Sequence, residues 1–206
     1  MQSKQLQLLT GPKAVAVIRK VDRSKVIDVI EALIKGGITG IEVTMDSDDA
    51  LGVIGEAKEK FHGRAAVGAG TVLDEKTAEE AIRAGAEFIF APTLDRETIK
   101  VTKQHGKISI PGVFTPTEML QAYNWGADMV KVFPASVVGP QFVKDVRGPL
   151  GYIPIIVTGG INAANYKAFL QAGAVAVGVG GSLLNKDYIA NGDFAKITAL
   201  AKEYTG

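Results

Sequence analysis

Eight times along 206 residues this chain repeats one pattern: a short β-branched or alanine-rich run, a polar loop, then an amphipathic stretch. Such alternation predicts parallel strands joined by crossover helices. Strands are expected over 14–18, 40–43, 65–67, 87–90, 107–110, 128–133, 153–157 and 174–178. Helices are expected near 24–36, 47–60, 74–84, 95–105, 116–125, 139–146, 162–172 and 193–204. The phrases Lys35-Gly36-Gly37-Ile38, Arg83-Ala84-Gly85-Ala86, Asn124-Trp125-Gly126-Ala127 and Gln171-Ala172-Gly173-Ala174 recur just before strands, where a helix ends on glycine. Units of about 26 residues lie at the short end for a (β/α)8 barrel. A doubly wound sheet needs a strand order that sequence does not display. The count of eight and the lack of a dinucleotide-binding glycine fingerprint favour the barrel. The chain is therefore read as an α/β protein, one (β/α)8 TIM-barrel domain over residues 1–206, with an extra helix over 2–9 covering the lower end.

Composition removes several classes of function. Lysine and arginine number 23 against 22 acidic residues, a net charge of +1, and no basic block stands out. Nucleic acid and anionic membrane are poor partners for such a surface. With no cysteine there is no disulfide, thiolate metal site or thiol nucleophile. The first ten residues lack a signal peptide's basic and apolar regions, and no run approaches transmembrane length, so a soluble cytoplasmic protein is expected.

Two charges stand where charges should not. Lys131 interrupts the apolar run Met129-Val130-Lys131-Val132-Phe133-Pro134, which reads as a strand buried on both faces. Strand alternation puts Met129, Lys131 and Phe133 on one side and the valines on the other. Burying an ammonium is costly, so a lysine there commonly loses its proton and becomes a nucleophile for carbonyl carbon. Snorkelling to water or pairing with a carboxylate is the plainer reading. Glu42, in Gly40-Ile41-Glu42-Val43-Thr44, is a second charge inside an apolar strand and faces the same interior by the same alternation. The pair is either a structural ion pair or an imine-forming amine beside its general base.

Other polar residues at strand ends are Arg19, Thr44, Thr71, Thr93, Thr158 and Ser182. Two glycine loops, Thr158-Gly159-Gly160-Ile161-Asn162 and Gly178-Val179-Gly180-Gly181-Ser182, follow the seventh and eighth strands, the usual place for phosphate in such barrels. Asn162 is expected to cap a helix, and a short helix is expected to open after Ser182. His62 and His105 sit near helix C-termini for dipole reasons. Asp46-Ser47-Asp48-Asp49 reads as an acidic first turn capped by Ser47 rather than a metal site.

Together, Val15-Ala16-Val17-Ile18-Arg19, Glu42-Val43-Thr44, Val67-Gly68-Ala69-Gly70-Thr71-Val72, Ile110-Pro111-Gly112-Val113, Lys131-Val132-Phe133-Pro134-Ala135, Gly139-Pro140-Gln141 and Thr158-Gly159-Gly160-Ile161 resemble the 2-keto-3-deoxy-6-phosphogluconate (KDPG) aldolases, some of which also split 4-hydroxy-2-oxoglutarate (KHG). The likeness runs over nearly the whole chain in order. It implies a class I aldolase, metal-independent and without cofactor, on a trimeric barrel, cleaving the 2-keto acid to pyruvate and glyceraldehyde 3-phosphate. Position by position, Lys131 matches the Schiff-base lysine and Glu42 the general acid/base. Thr71 matches a pyruvate-binding threonine, and Pro92 and Phe133 match residues shaping the pyruvate pocket. Thr158, Gly159, Gly160, Gly181 and Ser182 fall on the phosphate site. Many members carry arginine where Asp46 stands here, and Arg19 is expected to take over the substrate carboxylate. The galactonate epimer, unphosphorylated KHG, another phosphosugar barrel enzyme and a non-catalytic ligand-binding barrel remain the alternatives.

Overall fold

The computed structural model describes residues 4–205. Helix α1 (Lys4–Thr10) precedes β1 (Ala14–Ile18), α2 (Val26–Lys35), β2 (Gly40–Thr44), α3 (Ala50–Lys60), β3 (Ala66–Gly70) and α4 (Glu75–Ala84). Then follow β4 (Phe88–Phe90), α5 (Arg96–Gln104), β5 (Ile108–Ile110), β6 (Gly112–Val113), α6 (Pro116–Asn124) and β7 (Val130–Val132). The chain finishes with α7 (Ala135–Leu150), β8 (Ile155–Thr158), α8 (Tyr166–Gln171), β9 (Ala176–Val179), α9 (Lys186–Ala190) and α10 (Phe194–Thr205). Among the described residues no helix is long and apolar enough to cross a membrane.

The strands pair in parallel in the order β5-β4-β3-β2-β1-β9-β8-β7-β6. Strand β5 falls within the fifth expected strand, 107–110, and β6 continues the same line of chain beyond Pro111, which has no N–H to give the ladder. On one side Ala91 N–H donates to Ile110 O at 3.2 Å; on the other Lys131 N–H donates to Pro111 O at 2.8 Å. One strand thus bonds both edges and closes a (β/α)8 barrel. Helix α7 begins earlier than expected and breaks at Gly139, whose φ of 71° is non-helical. Helix α9 is the short helix expected after the last glycine loop, displaced to start at Lys186. The expected helix over 2–9 is observed from Lys4, with Leu9 buried against the barrel floor; Gln2 lies outside the described residues.

Alternation sorts the strand side chains into two cores. Ile41, Val43, Val130, Val132, Ile155 and Val157 face the helices. Val15, Ala66, Phe88, Phe90, Ile110, Met129 and Ile156 fill the barrel with Leu9. Glu42 and Lys131 belong to this inner set by register. Space for them comes from missing side chains: a methyl at Gly68 would overlap the Phe88 ring, and one at Gly70 would overlap the Glu42 carboxylate. Gly70→Ala is accordingly expected to cost about 1–3 kcal/mol of stability and to displace Glu42. Denaturant melts paired with turnover measurements check it; unchanged activity and stability would contradict this packing.

Candidate active site at the C-terminal ends of the strands

Lys131 and Glu42 stand on β7 and β2, strands that do not pair, and meet across the barrel. Lys131 Nζ lies 3.8 Å from Glu42 Oε1, and the two side chains are 8% and 1% exposed. The ammonium nitrogen is also 5.2 Å from the Phe90 ring centre and 5.4 Å from that of Phe133. Burial pushes the Glu42 carboxyl above the usual carboxylate range, and the opposing pull of Lys131 and Arg19 does not offset it.

A purely structural pair looks different in the same molecule. Buried Glu87 gives one carboxylate oxygen to Lys58 and the other to Val67 N–H, so both acceptors are used. Glu42 Oε2 is buried with no hydrogen-bond partner among the described residues, and so is Thr158 Oγ1. An unmet buried acceptor costs about 1–3 kcal/mol, a cost that folding alone gives no reason to keep. Both orphaned atoms belong to residues lining one cavity.

That cavity, about 450 Å3, is lined by Lys131, Glu42, Phe133, Thr158 and Arg19 toward the strand ends and by Gly159, Gly160, Gly181 and Ser182 in the loops. Gly159 and Gly160 have φ of 91° and 76°, the left-handed region that favours glycine. Ser182 Oγ donates to Ile161 O at 2.8 Å and ties the two loops together. The N–H groups of Gly159, Gly160, Gly181 and Ser182 donate to no protein acceptor among the described residues. Backbone N–H groups left without a protein acceptor, in two loops that line one volume, are the kind of arrangement that can hold an anion.

Arg19 lies at the cavity rim, its side chain 54% exposed. It donates through Nη2 to Thr71 Oγ1 at 2.8 Å and stands 3.6 Å from Asp46 Oδ2, which also meets Lys20 at 3.7 Å. Burial pushes the Asp46 carboxyl up, but Thr44, Arg19 and Lys20 together outweigh it and hold the group below its ordinary range. Thr71 has φ of 56°, costly for a β-branched residue and characteristic of sites that constrain their backbone. Thr71 does not line the cavity itself and reaches it through Arg19. Pro92 is also outside the lining; its backbone packs on Gly112.

Several local expectations are corrected. Helix α8 begins at Tyr166, because Asn162 Oδ1 takes the Ala164 N–H and Asn165 Oδ1 the Asn162 N–H, holding a turn instead. After Ser182 the chain makes a single turn closed by Leu184 N–H on Gly180 O, and α9 starts only at Lys186 behind the Asn185 cap. Ser47 does not cap α3; its hydroxyl accepts the Lys20 N–H, and Asp49 pairs with Arg23. Among the described residues no cluster of three His, Asp or Glu side chains is placed to hold a metal. His62 and His105 are exposed and do not line the cavity. Val17 lines it without having been singled out as a site residue; its interior parity along β1 was the available signal.

The model of the KDPG and KHG aldolase family matches residues 6–200. The KHG/KDPG aldolase of Escherichia coli (strain K12) is 34% identical over 199 residues, 95% of this chain and 92% of its own. The probable 2-dehydro-3-deoxy-6-phosphogalactonate aldolase of Rhizobium meliloti (strain 1021) is also 34% identical, over 82% of this chain and 80% of that protein. The solved KDPG aldolase of Legionella pneumophila, with pyruvate captured as a covalent carbinolamine, superposes with a TM-score of 0.89 at 26% identity, covering 100% of this chain and 99% of that one. Barrel, buried lysine–glutamate pair and sequence likeness converge: the chain belongs to the KDPG/KHG aldolase family and is a carbon–carbon lyase.

Proposed function

We propose that this aldolase cleaves KDPG to pyruvate and glyceraldehyde 3-phosphate through a Schiff base on Lys131. The observation that carries the reading is Lys131 Nζ 3.8 Å from a Glu42 carboxyl whose other oxygen is buried and unpartnered. The Lys131 nitrogen attacks the C2 ketone, and Glu42 supplies the proton with which the carbinolamine hydroxyl leaves as water. Glu42, now carboxylate, takes the C4 hydroxyl proton; the C3–C4 electrons move into the protonated imine, leaving an enamine and releasing the aldehyde. Protonation at C3 and addition of water return pyruvate and the free amine. Capture of pyruvate as a carbinolamine in the Legionella relative supports the same nucleophile chemistry here.

Arg19, held by Thr71, orients the keto acid's carboxylate, Phe133 bounds the pyruvate end, and Thr158, Gly159, Gly160, Gly181 and Ser182 hold the phosphate. Arg19→Ala is expected to weaken pyruvate and substrate affinity by about 10- to 100-fold, the loss of a charge-assisted contact, with a smaller change in kcat. Unaltered KM and pyruvate affinity would remove Arg19 from the site.

The assignment is tested by following pyruvate release from KDPG, its galactonate epimer and KHG. The highest kcat/KM is expected on KDPG, and KHG, without phosphate, should trail both. Equal rates with and without phosphate would contradict the loop assignment. The Rhizobium relative favours the epimer as the second reading, and epimer preference would establish it. Assembly is proposed as a homotrimer. Phe114, Leu120, Tyr123, Val137 and Tyr152 are large apolar groups 40–70% exposed around α6 and α7, more than a lone surface needs. Light scattering giving three chain masses is the expected result.

A further inference from the structure

Beside the catalytic cavity lies a second one of about 620 Å3, between the β1–α2 connection and α9. Val17, Arg19, Gly180 and Gly181 line both. Its remaining walls take no part in the chemistry above. Val21, Leu184 and Ile189 supply apolar surface, and Leu184 and Ile189 are otherwise buried. Lys20, Lys25 and Lys186 join Arg19 around it, against one lining carboxylate, Asp22. Lys20 and Arg19 share Asp46, the Lys25 ammonium donates to the Ala190 carbonyl at 2.7 Å, and Lys186 has no carboxylate partner among the described residues. In a chain of net charge +1, four cations around one apolar-lined volume are a local excess. Such a site suits an anion carrying an apolar body.

We propose that this annex binds a small phosphate monoester with an apolar body, and that its occupancy is coupled to keto-acid binding through Arg19. Phosphate is favoured because Arg19, Lys20, Lys25 and Lys186 stand around the annex against the single carboxylate of Asp22, a balance that suits a doubly charged anion. An anion in the annex competes with Asp46 and Thr71 for the Arg19 guanidinium. Drawing Arg19 away from Thr71 weakens the keto-acid site, and by linkage the keto acid weakens the annex equally. The coupling rests on the aldolase reading; the annex itself does not.

Phenyl phosphate is the probe. Pyruvate release from KDPG is followed at several phenyl phosphate concentrations in the wild type and in a Lys20→Gln, Lys186→Gln double variant. Mixed inhibition is expected in the wild type. The double variant should raise the inhibition constant by about tenfold, two partly screened charge contacts, with kcat and KM unchanged when the probe is absent. Isothermal titration of the same two proteins with phenyl phosphate should give the same loss without relying on turnover. Purely competitive inhibition that the double variant leaves unaltered would put the probe in the glycine loops and overturn the annex, as would no saturable heat. Lysine-dependent binding in a protein that cleaves none of the three keto acids would sink the aldolase reading and leave the annex standing.

Discussion

Lys131→Met is expected to remove pyruvate release, by roughly 10^4-fold or more, while leaving the fold as stable as the wild type or more so. The first half follows from the loss of the one lysine that lines the cavity among the described residues; a drop of that size is about 5.5 kcal/mol of transition-state stabilisation. The second half follows from burial. Met has similar length and no charge, and it would sit among Phe90, Phe133 and Met129, in or beside the apolar interior. Replacing a buried charge by an apolar group of like volume is often neutral or stabilising. The abandoned Glu42 need not remain an unpaired anion, since its carboxyl is already pushed toward the protonated form. A thermal melt and a pyruvate assay on the same sample separate the two halves. A destabilised protein with residual activity would mark the pair as structural.

Glu42→Gln carries the second large effect. Proton transfer by a positioned carboxyl contributes about 10^2- to 10^4-fold, and the variant should lose that much in kcat. Its pH profile is the sharper readout. Wild-type kcat/KM should fall with rising pH as Glu42 loses the proton it gives to the carbinolamine, and because burial raises that ionisation, the fall should lie above the ordinary carboxylate range. The glutamine variant should lack this limb. An unaltered limb in Glu42→Gln would move the proton donor elsewhere.

Much of this was legible in the chain. Period-two alternation was enough to send Glu42 and Lys131 to the barrel interior, because their strand neighbours are aliphatic and must face the helices. Strand β1 ends where the residues suggested, and the two glycine loops meet at one cavity as their places after the last two strands implied. Long-range and local polar geometry were not legible. Arg19 and Thr71 are 52 residues apart, and only the closed barrel sets one against the other. The split at Pro111 depends on which neighbouring strands the fifth strand serves, and local propensity does not encode that. The late start of α8 arises from competition by the Asn162 and Asn165 side chains for backbone N–H groups, an outcome that an asparagine at a presumed cap leaves open. The orphaned Glu42 oxygen, which separates this pair from Lys58–Glu87, is visible only in three dimensions.

The most direct test of the central claim is borohydride reduction of the protein in the presence of pyruvate, followed by peptide mapping of the adduct. A single reduced adduct on Lys131, absent in Lys131→Met, is the expected result. No adduct, or modification spread over surface lysines with Lys131 untouched, would contradict imine formation at this site.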